Sequence, residues 1–140
     1  DISLPAMAIR PSPKPIQPTL TTGRLPASDD EVALGAVTLD RLGVDVGDAV
    51  RVTRGEDSTD LAVVGRVVLP AVSAYPGADK TSLGEGALLT GRGLRRWSPE
   101  FSPVGALVDL ADGTDADAYI DAVDDPEDDI VMSSTVPNLP

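Results

Sequence analysis

The spacing of apolar and polar positions changes several times along the chain, and each change predicts an element. Ile2–Ile9 is an apolar run that predicts a strand. Pro5 assigns it to a sheet edge or a bulge, because proline brings no N–H to a ladder. Pro11, Pro13, Pro15 and Pro18 then fix φ repeatedly, so residues 10–20 are expected to be extended. Ser28-Asp29-Asp30 reads as a turn and Glu31–Gly35 as a short apolar strand. Ala36–Leu42 predicts a two-turn helix presenting Leu39 and Leu42, stopped by Gly43 at a position that favours positive φ. Val44–Asp48 turns the chain into a strand over Ala49–Thr53, where Val50 and Val52 alternate with Arg51 and Thr53. Gly55–Ser58 predicts a hairpin loop. Asp60–Leu69 is the longest strand, so rich in Val that it is expected to be central and buried on both faces for part of its length.

The second half is more broken. Residues 73–86 hold Pro76, Gly77, Gly84 and Gly86 with few apolar positions and predict a long exposed loop, a type of segment that often carries function. Ala87–Leu89 predicts a short strand, Arg92–Trp97 a short helix weakened by Gly93, and Val104–Leu110 another strand. Thr114–Val123 is the clearest helix. Thr114 and Asp117 have the spacing of a capping box, and Ala116, Tyr119/Ile120 and Val123 form one stripe. Ile130–Met132 predicts a last strand. The expected fold class is α+β: mixed, mostly antiparallel sheet with short helices and a late strand–helix–strand unit at 104–132. One domain over 1–140 is expected, with a division into two lobes at about 1–72 and 73–140 as a variant.

Composition narrows the chemistry. The 140 residues are 41% hydrophobic but hold only four aromatics, Tyr75, Trp97, Phe101 and Tyr119, so the core is expected to consist of Val, Leu, Ile and Ala. With no Cys and no His, the chain has no thiol or imidazole for metal binding, nucleophilic attack or acid–base work. No stretch reaches the roughly 18 apolar residues of a membrane-spanning helix. Asp1 opens directly into an apolar run, so the chain is expected to be part of a longer protein. The net charge of −12 disfavours nucleic acid and anionic lipid as partners. Ten of the 23 acids fall within 109–129, a run with no base, which reads as a solvated face.

Three constellations invite chemistry and fail on spacing. Asp112–Asp117 lacks the oxygen ligands of a calcium loop, with Gly113 second and Ala116 fifth; a capped helix start accounts for the same residues. Gly91-Arg92-Gly93 lacks the further glycine of a dinucleotide loop and the Gly-Lys of a phosphate loop. Lys80 with Ser73, Ser82 and Tyr75 offers no Ser-x-x-Lys spacing. No catalytic, cofactor-binding or metal residues are assigned. Tyr75, Lys80, Arg95, Arg96 and Trp97 are the expected partner-contact residues, because the loop 73–86 and the helix 92–97 expose them and Arg and Trp are favoured where proteins meet. For Trp97 the plainer reading is a half-buried ring closing the core.

Four fragments stand in order: Gly23-Arg24-Leu25-Pro26, Asp30–Gly35, Leu42–Val50 with its Gly47-Asp48, and Leu61–Gly65. This set resembles the extracytoplasmic, MacB-like periplasmic core domain of FtsX-like ABC transporter permeases, in the form found in high-GC Gram-positive bacteria. The likeness runs from about residue 20 to the end, where Val136–Pro140 resembles the exit into a second transmembrane helix. Gly35, Gly43, Gly47, Asp48 and Gly65 are read as turn residues, architectural rather than chemical. The resemblance implies a non-catalytic domain on the extracytoplasmic side of the cell membrane, set between transmembrane helices of the permease. A separate cytoplasmic ATPase subunit would act on it indirectly, and its own contacts would be an extracytoplasmic protein or a lipid, lipoprotein or peptide substrate. Leu42–Val50 is also similar to small cradle-loop β-barrels, which leaves a protein-interaction or regulatory domain of a soluble protein as the alternative.

Overall fold

The computed structural model of the chain describes residues 2–9, 16–71, 81–99 and 111–123. In chain order these form β1 (Ala6–Met7), β2 (Thr19–Gly23), β3 (Glu31–Leu34), α1 (Ala36–Leu42), β4 (Ala49–Arg54), β5 (Asp57–Val68), β6 (Ala87–Leu88), α2 (Gly91–Trp97) and α3 (Ala116–Val123). The strands form one mixed sheet in the order β1-β6-β3-β5-β2, with β4 also paired to β5. Antiparallel pairs join β2 to β5, β4 to β5 and β3 to β6, and parallel pairs join β3 to β5 and β1 to β6. The fold is α+β.

The chain divides into two compact units, Asp1–Ala106 and Leu107–Pro140. The boundary lies well beyond residue 72 because β6 pairs with both β1 and β3, which ties residues 87–88 to the first unit. In the second unit the described residues are the turn before α3 and α3 itself. Asp115 caps that helix: its carboxylate accepts from the Asp117 and Ala118 N–H groups at 2.9 and 3.2 Å. The cap is therefore one residue later than the Thr114 expected from the spacing. The strands expected at 104–110 and 130–132 lie outside the described residues. Among the described residues, no helix is long and apolar enough to cross a membrane.

β5 organises the first unit. Its twelve residues are long enough to pair with β4 over Asp57–Ala62, with β3 over Ala62–Arg66 and with β2 over Gly65–Val68. It is central, as its valines predict, but its burial alternates. Leu61, Val63, Val67 and Leu69 are buried while Ala62 and Arg66 are exposed, so the expectation of burial on both faces is corrected. β3 is the strand buried on both faces, with Val32, Ala33 and Leu34 each at most 2% exposed. Val32 and Leu34 face one core with Leu39, Leu61, Val63, Ala87, Leu89 and Leu94. Ala33 faces a second core with Val67, Leu69 and Leu88.

A register shift explains how β5 feeds both cores. Val32 pairs with Val63, but the next residue, Ala33, pairs with Gly65, which leaves Val64 as an extra residue. A bulge of one residue exchanges the two faces of a strand. Leu61 and Val63 thus share the core of Val32, and Val67 and Leu69 share that of Ala33, although all four are odd-numbered.

The loop expected over 73–86 is tied down over its described part. Thr81 is buried and its hydroxyl donates to the Pro70 carbonyl at 2.6 Å. Ser82–Glu85 closes a tight turn through hydrogen bonds in both directions. The Gly84 carbonyl then accepts from the Val37 and Thr38 N–H groups, satisfying free donors in the first turn of α1 in place of a side-chain cap.

Candidate partner surface

The glycines that carry the family resemblance divide into two kinds. Gly43 and Gly47 adopt positive φ, 67° and 107°, in turns, as the sequence predicts. Gly35 and Gly65 are extended residues rather than turns: a Cβ would lie 2.2 Å from the Gly84 carbonyl oxygen at Gly35 and 2.2 Å from that of Arg24 at Gly65. Both therefore serve close backbone approach. Asp48 closes its turn as expected, its carboxylate accepting from the Asp45 N–H at 2.8 Å. Arg24 forms a two-pronged ion pair with Glu31, whose carboxylate also accepts from Ala27 N–H at 2.8 Å and Ser28 N–H at 3.3 Å. These bonds hold the Glu31 carboxyl down to about 2, the Arg24 bond most of all.

The expected contact residues are only partly brought together. Tyr75 and Lys80 lie outside the described residues. Arg95, Arg96 and Trp97 lie on α2, whose N-terminus is capped by the Thr90 hydroxyl: it accepts from Gly93 N–H at 2.9 Å and donates to Asp29 at 2.9 Å. Gly93 does more than weaken this helix. It is buried, and a Cβ there would lie 3.3 Å from the Asp29 carbonyl oxygen, so its absence lets α2 approach the turn before β3. Two ion pairs fasten the same contact, Arg92 to Asp29 at 3.7 Å and Arg96 to Asp30 at 3.2 Å. Arg95 is exposed, with no ion-pair partner among the described residues.

Trp97 closes the first core, half-buried against it, with the Arg96 guanidinium 5.9 Å from the ring centroid. At that separation a cation–π contact contributes about 0.5–1 kcal/mol. The Trp97 carbonyl accepts a hydrogen bond from Arg54, which stands at the tip of the β4–β5 hairpin. A groove of about 740 Å³ lies between the hairpin tip and the end of α2, lined by Arg54, Gly55, Asp57, Ser58, Arg96, Trp97 and Pro99. The sequence indicates the hairpin, because Gly55 separates two alternating strands. Its loop is shorter than expected: Gly55 and Glu56 make the turn, and Asp57 and Ser58 already belong to β5. No signal in the sequence places Arg54 against Trp97, 43 residues away, or Ser58 on the same groove.

A second groove, of about 360 Å³, runs beside α1 between Asp40, Asp45, Asp48 and Arg66, over Ala36, Leu39 and Val44. No cluster of three or more His, Cys, Asp or Glu able to hold a metal occurs among the described residues. Comparison with protein-family models, with curated proteins and with solved structures finds no match to this chain.

Proposed function

We propose that this chain is a non-catalytic, extracytoplasmic binding and motion-transmitting domain of an FtsX/MacB-like ABC transporter permease. The reading starts from the ordered fragments that resemble that family. One observation supports it above others: the four fragments, spread over more than forty positions, meet in space. Arg24 of the first fragment pairs with Glu31 of the second, and its carbonyl approaches Gly65 of the fourth. Gly47 and Asp48 of the third exchange backbone hydrogen bonds with Val63 of the fourth, each 2.8 Å long.

The resulting unit suits transmission of motion. Two cores share β3 and β5, and backbone contacts without intervening side chains join the segments, so the unit moves as a rigid body rather than deforming. Contact with a partner falls to the surface around α2 and the β4–β5 hairpin. Chemistry on ATP belongs to a different subunit in this scheme.

Fractionation of cells expressing the full-length parent, followed by protease treatment of intact cells, tests the proposal. Recovery in the membrane fraction with cleavage of this segment from outside is the expected result. A soluble, protected parent sinks the permease reading and favours a cradle-loop interaction domain.

A further inference from the structure

The groove between the β4–β5 hairpin and the end of α2 holds an unequal stock of hydrogen-bonding groups. Arg54, Arg96 and the Ser58 hydroxyl bring donors, while Asp57 alone among the lining residues is an acceptor-only side chain. Among the described residues these donors are not fully used. Arg54 bonds the Trp97 carbonyl and Arg96 bonds Asp30, but a guanidinium carries five N–H groups and each keeps several. Trp97 differs from both: its Nε1–H is buried and has no hydrogen-bond partner among the described residues. A buried donor left in this way is destabilising, and buried indole N–H groups normally find an acceptor. An orphan donor beside a donor-rich groove matches a ligand that brings acceptors.

We propose that this groove binds a carboxylate of a partner polypeptide, with Arg54 and Arg96 holding its oxygens and the Trp97 indole turning to donate to one of them. The proposal rests on the partner-binding reading above and gives that partner a chemistry. A carboxylate satisfies two planar guanidiniums better than a neutral carbonyl does, since each oxygen accepts charge-assisted bonds. The net charge of −12 does not oppose this. At physiological salt, charges beyond about 8 Å are largely screened, so the nearby groups decide: Arg54 and Arg96 set against Asp57 and against Asp30, which lies 3.2 Å from Arg96. The carboxylate comes from an acidic side chain or from a chain terminus, and the groove's volume accommodates either.

Trp97 is the only tryptophan, so its emission reports on this site alone. The 140-residue chain is titrated with three probes: hexaglutamate amidated at its C-terminus, a neutral Ala/Ser hexapeptide with a free C-terminus, and that hexapeptide capped at both ends. A saturable change with one or both carboxylate peptides and none with the capped peptide is expected, and the responding peptide identifies side chain or terminus. Arg54→Gln with Arg96→Gln is expected to weaken binding at least tenfold at unchanged circular dichroism. Trp97→Phe, followed by calorimetry, weakens it several-fold, and unchanged affinity there removes the indole from the site. No saturable response up to millimolar peptide, an equal response to the capped peptide, or binding that survives the double arginine variant overturns the proposal. Carboxylate binding by a chain whose parent is not in the membrane would overturn the family reading and leave the groove assignment standing.

Discussion

Gly35 and Gly43 bracket α1 and do different physical work. At Gly43 the backbone is left-handed, φ 67°, with open space where a side chain would go. Gly43→Ala is therefore expected to cost about 1 kcal/mol, the conformational penalty alone. At Gly35 the backbone is ordinary, but a Cβ would meet the Gly84 carbonyl that serves the first turn of α1. Gly35→Ala is expected to cost about 3 kcal/mol, as overpacking does, and urea unfolding of the two variants checks the order. The Arg24–Glu31 pair gives a pH prediction. The Glu31 carboxyl ionises near 2 rather than at its ordinary 4.5, chiefly because Arg24 bonds the carboxylate. The folded state thus holds fewer protons than the unfolded one between those values. The contribution of Glu31 is complete above pH 4.5 and is lost as the pH falls toward 2. Asp60, held down by its bond from Arg51, acts in the same sense. The urea midpoint of the wild-type chain should fall across this acid window, and Glu31→Gln should flatten the fall.

Among the elements, α1 is too short to persist by its own propensity and has no side-chain cap. It holds its place through tertiary bonds. Besides the Gly84 carbonyl, Thr38, fully buried, accepts the Gly86 N–H on its hydroxyl oxygen at 2.9 Å. Thr38→Val keeps the shape and leaves that buried N–H without an acceptor. The expected loss is about 1–3 kcal/mol, read as a lower thermal midpoint. β5 shows what a bulge does to a legible pattern. Leu61, Val63, Val67 and Leu69 read as a single face in the sequence, yet the extra residue at Val64 divides them between two cores. Alternation alone carries no mark of that division, because a bulge depends on how the partner strand aligns.

For the whole molecule, both described cores lie within Asp1–Ala106. A fragment ending at Ala106 is therefore expected to fold by itself, with cooperative urea unfolding and the near-ultraviolet signal of a fixed Trp97. A fragment that stays unfolded would show that Leu107–Pro140 is needed for those cores. The arrangement also accounts for the weak aromatic content. Val, Leu and Ala from β3, β5 and β6, with Leu39 of α1 and Leu94 of α2, supply most of the two described cores, and burial of each Val or Leu contributes about 1.5–3 kcal/mol.

The sequence by itself determined most local elements of the first unit, though not β2 at Thr19–Gly23. β3, α1, β4 and β6 lie where apolar period, glycine and turn residues predict them, because those signals act over a few residues. It also determined the fold class, and it drew attention to Arg96 and Trp97, as expected partner contacts, by their type alone. Only the tertiary structure decided that β3 rather than β5 is the doubly buried strand, and that Gly35 and Gly65 serve backbone approach rather than turns. It alone set Arg54 of the hairpin against Trp97 and Ser58 on the same groove. Each of these depends on which distant segment lies alongside, and a pairing across forty residues leaves no periodic trace in either strand.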